Sequence, residues 1–442
     1  MSPFQQFKLQ NQLEYVLIPN NNIHTISICI YIKVGSRDEV GDEEGLSHLL
    51  EHMVFKGTKT RQTSKIISKE LDGLGGTFNA YTDKNVTCYH IKVSCKYVKE
   101  AMAIFSDMLF NSLLRDTDIN DEKPVVVEEI KKIRDEPSSQ VIDLVTELSF
   151  TGHPLSHSIA GTPKQVLNYK RKNICAYYNK YYVPSNMVVS ICGKFKKKNI
   201  HELMDTYFTP PKPFFQNSRQ DQTLILPDHP RVTISNKKLA QTHLVMSFPT
   251  VSMFDETRFT LDLVSTILAG NMSSRLFLNL REDAGLAYNV VADTSLYQEC
   301  GIFMIATSID NNSLFKNKTK GVGPGALPII IDEIYKLKKC GVSEEELKNA
   351  KRYLLGQLVI GREDTISMAE FYGKQLVFHY KKLMTTLDIE KVYKKISVSQ
   401  INAIVDELFD LTKMNLAIIG SYQTSTIIEF ITKKYLKLSK NE

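Results

Sequence analysis

A chain of 442 residues is too long for a single hydrophobic core and long enough for two or three domains. Its 55 Lys+Arg stand against 49 Asp+Glu for a formal net charge of +6 spread along the chain, and the one dense basic cluster, Lys194-Phe195-Lys196-Lys197-Lys198, reads as a solvated turn, so no nucleic-acid face is expected. Seven scattered cysteines without a Cys-x-x-Cys argue for free thiols in a reducing compartment, and the lack of a signal, a presequence or a long apolar run points to a cytoplasmic protein with no membrane span.

The first elements are strands at 14–18 and 26–34, β-branched and aromatic runs, followed by a proline-free helix at 45–55. That helix contains His48-Leu49-Leu50-Glu51-His52. Positions i and i+4 stack on one helical face, so both imidazoles project together with Glu51 beside them. On these residues alone the pattern fits two zinc ligands and a base in the order His-x-x-Glu-His, or a surface helix with two solvated histidines. A helix follows at 64–74, then a strand at 87–93 and a helix at 97–110. The helix at 119–135 has apolar residues at 126, 127, 130 and 133, which sets Glu129 near its apolar face and Glu128 toward the edge. A carboxylate close to a core needs a partner, and a metal would serve. A catalytic zinc takes three protein ligands and keeps one position for water, so Glu129 is the candidate third ligand. Glu122 lies close to two turns earlier on the same face, but Pro124 stands between them, so the helix either starts near Lys123 or bends there. A strand at 187–191 comes late in the first half.

Pro210-Pro211-Lys212-Pro213 and the polar, proline-dotted run to Pro230 read as a linker, 210–230, between domains at 1–209 and 231–442. The halves repeat each other. Residues 24–31 and 243–248 are matching strand patterns at an offset of 219, and the strands ending at Gly193 and Gly420 match at 227, with 311–325 as the place for an extra loop. At the offset of 219, His48, Glu51 and His52 fall on Ile267, Gly270 and Asn271, so the second half cannot bind the same metal. The expected fold class is α+β, two homologous domains, each a mostly antiparallel sheet with helices packed on one face.

The run Gly45-Leu46-Ser47-His48-Leu49-Leu50-Glu51-His52-Met53-Val54-Phe55-Lys56-Gly57-Thr58, with Glu129 following after 76 residues, closely resembles the pitrilysin family of zinc metallopeptidases, or inverzincins, which includes mitochondrial processing peptidases and insulin-degrading enzymes. Gly75-Gly76-Thr77-Phe78-Asn79-Ala80-Tyr81-Thr82 resembles the family's Gly-Gly-x-x-Asn-Ala-x-Thr segment. His153-Pro154-Leu155, Gly161-Thr162 and Tyr182-Val183-Pro184-Ser185-Asn186-Met187 match later landmarks. In the second half, Ser273-Ser274-Arg275-Leu276-Phe277 and the Arg281-x6-Tyr288 spacing match as well, so the resemblance covers essentially the whole chain.

The resemblance implies a processing-peptidase-like metallohydrolase fold and one Zn2+ per chain, held by His48, His52 and Glu129, with Glu122 as an outer carboxylate. Glu51 would take a proton from the zinc-bound water as it attacks a peptide carbonyl and deliver it to the leaving amine. Asn79 and Ala80 would lie on an edge strand that an extended peptide or unfolded polypeptide joins through backbone hydrogen bonds. Arg281 and Tyr288 would reach the scissile carbonyl from the metal-free half, Tyr288 stabilising the oxyanion. A chain of this length holds about half the repeats of the long family members, which implies pairing, as a homodimer or as a heterodimer with a metal-free paralogue. Family members that act as non-catalytic scaffolds typically lose the ligands or the base, and here His48, Glu51, His52 and Glu129 all stand.

Overall fold

The structure, a computed structural model, describes residues 3–215, 217, 219, 222–317, 320, 321 and 323–436. The chain forms two compact units that exchange segments: the first comprises Met1–Lys132, His157–Gln220 and Leu358–Thr386, the second Ile133–Ser156, Asp221–Gln357 and Leu387–Glu442. The described part of 210–230 is neither helix nor strand. A single division there nevertheless leaves out the two segments, 133–156 and 358–386, that each half contributes to the other's unit.

In the first unit six strands, β1 Gln5–Lys8, β2 Glu14–Pro19, β3 Thr25–Ile32, β4 Thr77–Thr82, β5 Thr87–Ser94 and β6 Met187–Gly193, form one sheet in the order β1-β2-β6-β3-β5-β4. Only the β2–β6 pair is parallel. Alternation along the strands sorts the side chains onto two faces. Ile26, Ile28, Ile30 and Ile32 of β3, with Tyr89, Ile91 and Val93 of β5, meet helices α1 Leu46–Val54, α2 Ser64–Gly73, α3 Val98–Asn111 and α4 Asp116–Asp135 in one core. The opposite face presents Ser27, Cys29 and Tyr31, equally buried. The exchanged helix Thr365–Val377 covers it, with Thr365 Oγ1 2.7 Å from Ser27 Oγ. Helices therefore lie on both faces rather than one. The small and polar residues of that second face resemble a solvated surface in the sequence, and the helix that buries them is more than 300 residues away along the chain.

The second unit repeats the plan. Strands β7 Arg231–Ser235, β8 Gln241–Thr250, β9 Ala287–Leu296, β10 Gly301–Asp310 and β11 Asn415–Ile419 follow the order β7-β11-β8-β10-β9, strand for strand the order β2-β6-β3-β5-β4, again with one parallel pair, β7–β11. Its exchanged helix is α5, Pro137–Ser149, whose Val141 and Val145 sit on Val245, Ala417 and Ile419, and whose Ser149 Oγ lies 2.7 Å from Ser247 Oγ. The extra loop falls where the drift of the repeat puts it. β5 and α3 are separated by a short turn at 95–97, whereas β10 ends at Asp310 and the next helix, Ala326–Cys340, begins after 311–325, of which 318, 319 and 322 lie outside the described residues. The offset of 219 does not hold residue by residue around α1: the helix Arg258–Ala269 stops before Gly270 and Asn271.

Candidate metal centre

α1 is buried almost all round, and its start is anchored rather than solvated. Gly45, at φ +85°, precedes the first turn, and the Glu39 carboxylate accepts from Gly45 N at 2.8 Å and Ser47 N at 2.7 Å, meeting two of the amides that a helix start leaves unpaired. Burial pushes the Glu39 carboxyl up to about 8 in spite of those two bonds. A β-carbon on Gly45 would meet Ala160 O at 2.5 Å, and one on Gly161 would meet Glu44 O at 2.4 Å, so the two glycines let the 160–161 turn press against the entry to the helix. Ser47 Oγ is also 2.7 Å from the buried hydroxyl of Tyr177.

Within this rigid setting α1 and α4 bring together the three residues that the sequence singles out. His48 Nε2 lies 3.6 Å from Glu129 Oε1 and His52 Nε2 lies 3.3 Å from Glu129 Oε2, with one ligand atom from each residue within 4.8 Å of the others. Donors on a tetrahedral zinc with bonds of about 2.0–2.1 Å stand about 3.3 Å apart, so each imidazole is near that spacing from one oxygen of the Glu129 carboxylate, and three donors leave a fourth position open. His48 Nδ1 is buried with no hydrogen-bond partner among the described residues, and Nε2 is the nitrogen that faces Glu129. The donor set, two imidazoles and a carboxylate, suits zinc.

Glu122 is where helical spacing places it. α4 runs through Pro124 as one helix, and Glu122, almost fully buried, sets Oε1 2.9 Å from His52 Nδ1 while Oε2 pairs with Lys56 Nζ. A hydrogen bond at Nδ1 fixes the ring so that Nε2 faces the metal position. The electrostatics are those of a tight charge cluster. Burial opposes the charge on His52, but the Glu122 and Glu129 carboxylates outweigh it and push the imidazole up to about 9. Contact with both histidines holds Glu129 well below the usual carboxylate range.

Glu51 lies on the same turn of α1, between the histidines, and is not part of the donor trio. Burial raises its pKa, partly offset by a 2.6 Å hydrogen bond that Thr82 Oγ1 donates to Oε2 and by the nearby histidines. Asn79 and Ala80 lie on β4, which is the edge of its sheet, paired to β5 on one side. Arg281 and Tyr288 stand together in the second unit, though not on one helix. Arg281 is in a π-helical turn, Phe277–Asp283, and Tyr288 is in β9. The guanidinium donates to Tyr288 O at 3.0 Å and lies 4.7 Å from the centroid of the Tyr288 ring, which is 77% exposed.

Two family models match, Insulinase (Peptidase family M16) over residues 15–163 and Peptidase M16 inactive domain over residues 168–354. The chain belongs to peptidase family M16. Among similar proteins, an uncharacterized zinc protease of Bacillus subtilis (strain 168) is 30% identical over 406 residues, covering 92% of this chain and 95% of that one. One from Rickettsia bellii (strain RML369-C), described in the same words, is 30% identical over 420 residues, 94% of this chain and 97% of that one. The crystal structure of a protease from Helicobacter pylori has the same fold, with a TM-score of 0.86 at 23% identity over 94% of this chain and 99% of that one. The crystal structure of a peptidase M16 inactive domain from Pseudomonas fluorescens matches with a TM-score of 0.83 at 17% identity, covering 95% of this chain and 98% of that one. Among the described residues, His48, His52 and Glu129 are the one group of three or more His, Cys, Asp or Glu placed to hold a metal, and no helix is long and apolar enough to cross a membrane.

Three residues of this M16 site carry more than the sequence reading assigned to them. Thr82 and Lys56 stood there only as parts of motifs, and Glu39 stood nowhere. Thr82 was reachable from period 2, since 78, 80 and 82 share a face, and Lys56 from its position four residues after His52. Glu39 lies in a loop with no periodicity, and only the fold carries it to the end of α1.

Proposed function

We propose that the chain is a zinc metalloendopeptidase that hydrolyses peptide bonds in extended peptides or unfolded protein segments. The observation that carries this reading is the convergence of His48 Nε2, His52 Nε2 and the Glu129 carboxylate, with one ligand atom from each within 4.8 Å of the others and Glu51 on the intervening turn. Membership of M16 and the zinc-protease descriptions of its relatives support it. A zinc ion held by the three donors, one per chain, would supply a Lewis acid and make water a nucleophile at neutral pH. Glu51 takes the proton of the attacking water and returns it to the leaving amine. Glu122 and Lys56 hold the His52 ring in place. The outer edge of β4 at Asn79 and Ala80, where the Ala80 N–H donates to Asn79 Oδ1 at 2.9 Å, would pair with an extended segment once that side chain turns away, a mode that tolerates many sequences and excludes folded ones. Substrate contacts for Arg281 and Tyr288 rest on the family resemblance, and the exposed Tyr288 ring braced by Arg281 is suited to them. A homodimer in the cytoplasm completes the reading: the family resemblance carries the dimer, and the seven cysteines, none in a disulfide among the described residues, suit a reducing compartment.

The test is a pair of measurements on the whole protein: zinc content per chain, and cleavage of a peptide library by the native protein and by Glu51→Gln. One equivalent of zinc in both, with cleavage lost by about 100-fold to 10,000-fold in the variant, is expected. Zinc bound with no cleavage by the native protein would leave a metal-binding scaffold in place of an enzyme.

A further inference from the structure

The edge strand and the general base are joined by one hydrogen bond. β4 carries Asn79 and Ala80 near its middle and Thr82 at its end. Phe78 and Ala80 lie against the core on the α1 side, and Thr82, the next residue in the same alternation, faces α1 as well. Thr82 Oγ1 donates to Glu51 Oε2 at 2.6 Å, with Thr82 9% and Glu51 8% exposed. Among the described residues the one other side-chain oxygen within hydrogen-bond distance of that hydroxyl is Thr87 Oγ1 at 3.5 Å, and Thr87 donates its own proton to Val34 O at 3.1 Å. The Thr82 proton is thus committed to Glu51. Glu51 Oε1 accepts no hydrogen bond from the described residues.

We propose that Thr82 is a positioning residue for peptide hydrolysis, fixing the Glu51 carboxylate from the strand on which the substrate lies. The proposal rests on the reading of Glu51 as general base. The last torsion of a glutamate side chain is broad, so a buried carboxylate without a donor swings between orientations. A hydroxyl pointed at Oε2 stops that motion, and it keeps Oε2 the acceptor whether the group is ionised or protonated. The proton released when the water O–H bond breaks therefore goes to Oε1, as the new C–O bond forms. From Oε1 it passes to the nitrogen as the C–N bond breaks. Because Thr82 is continuous with Asn79 and Ala80, a segment paired along β4 immobilises the backbone that aims the base, and bound substrate and base orientation are linked through one strand.

The experiment compares Thr82→Val, which keeps the shape and removes the hydroxyl, with Thr82→Ser, which restores it, in the full chain loaded with zinc. Thr82→Val is expected to lower kcat at least tenfold with KM and zinc content unchanged, and Thr82→Ser to recover most of the loss. A readout independent of activity is the melting temperature of the zinc-free protein: Thr82→Val should lower it in the native background and leave it unchanged in a Glu51→Ala background. Unchanged kcat in Thr82→Val, a Thr82→Ser as slow as Thr82→Val, a rise in KM alone, or the same melting shift in both backgrounds overturns the proposal. An inactive Glu51→Gln beside a fully active Thr82→Val sinks the role of Thr82 only, whereas a fully active Glu51→Gln removes the base itself and the proposal with it.

Discussion

Metal and proton compete for one nitrogen of His52. In the metal-free protein the carboxylates of Glu122, 2.9 Å from Nδ1, and Glu129, 3.3 Å from Nε2, prevail over burial and hold the imidazole protonated up to about pH 9. A zinc ion needs Nε2 bare, so below that pH each unit of acidification costs about tenfold in affinity. The span from the ordinary 6.5 to about 9, at about 1.36 kcal/mol per pH unit, sets about 3 kcal/mol against the metal at pH 6.5, a few hundredfold in Kd. The same protonation has the opposite effect on the metal-free fold. The pKa of His52 is raised on folding, so its contribution to stability is fully present below 6.5 and is lost as the pH rises through about 9. Raising the pH across this window should therefore tighten zinc binding while weakening the metal-free protein by about 3 kcal/mol. Titration against chelator-buffered zinc from pH 6.5 to 9.5, corrected for the chelator, reads the first effect, and urea unfolding of the stripped protein at the same pH values reads the second. A Kd that stays flat across the window, or a metal-free protein equally stable at both ends, would refute the charge cluster as described.

Replacing Glu122 by Gln removes the charge that orients His52 and pairs with Lys56; zinc Kd above pH 9 should weaken by about 10-fold to 100-fold, and the levelling of Kd should move to lower pH in the same titration. Gly161→Ala puts a β-carbon 2.4 Å from Glu44 O at a φ of +68° and should cost about 2–3 kcal/mol in urea unfolding, whereas Gly152→Ala, at φ +77° with open space around it, should cost about 1 kcal/mol; equal losses would deny the close approach at the start of α1. A fragment of residues 1–215 lacks the helix Thr365–Val377 and leaves Cys29, Tyr31 and Ser27 uncovered, losing with Tyr372 alone about 200 Å2 of aromatic burial, about 5 kcal/mol; it should show no cooperative thermal transition by circular dichroism.

Much of this protein is legible without coordinates, because its strongest signals are local. The i, i+4 histidines, the apolar period around Glu129 and the β-branched runs depend on neighbours within a turn or two, and the helices at 46–54 and 116–135 and the strands at 14–19 and 87–94 fall within a few residues of where periodicity places them. Pro124 marks the boundary of that legibility: chain chemistry alone allowed a later start or a bend, and the ties of Glu122 to His52 and Lys56, with Val126 and Ile130 packed in the core, hold one helix through it. Arg281 and Tyr288 show the converse: their spacing alone does not disclose that one stands on a turn and the other on a strand.

Sequence was sufficient for what one helix or strand can encode, namely which residue types stand together on a face and so which metal they suit. Tertiary structure alone settled what depends on distant chain segments: the separation of Glu129 from the histidine pair, the Thr82 and Glu39 contacts that brace α1, and the exchange of helices between the two repeats. The reason is physical. Periodicity reports which side of an element is buried, but the partner that buries it is chosen by packing between segments that can be hundreds of residues apart, and no local pattern records that choice.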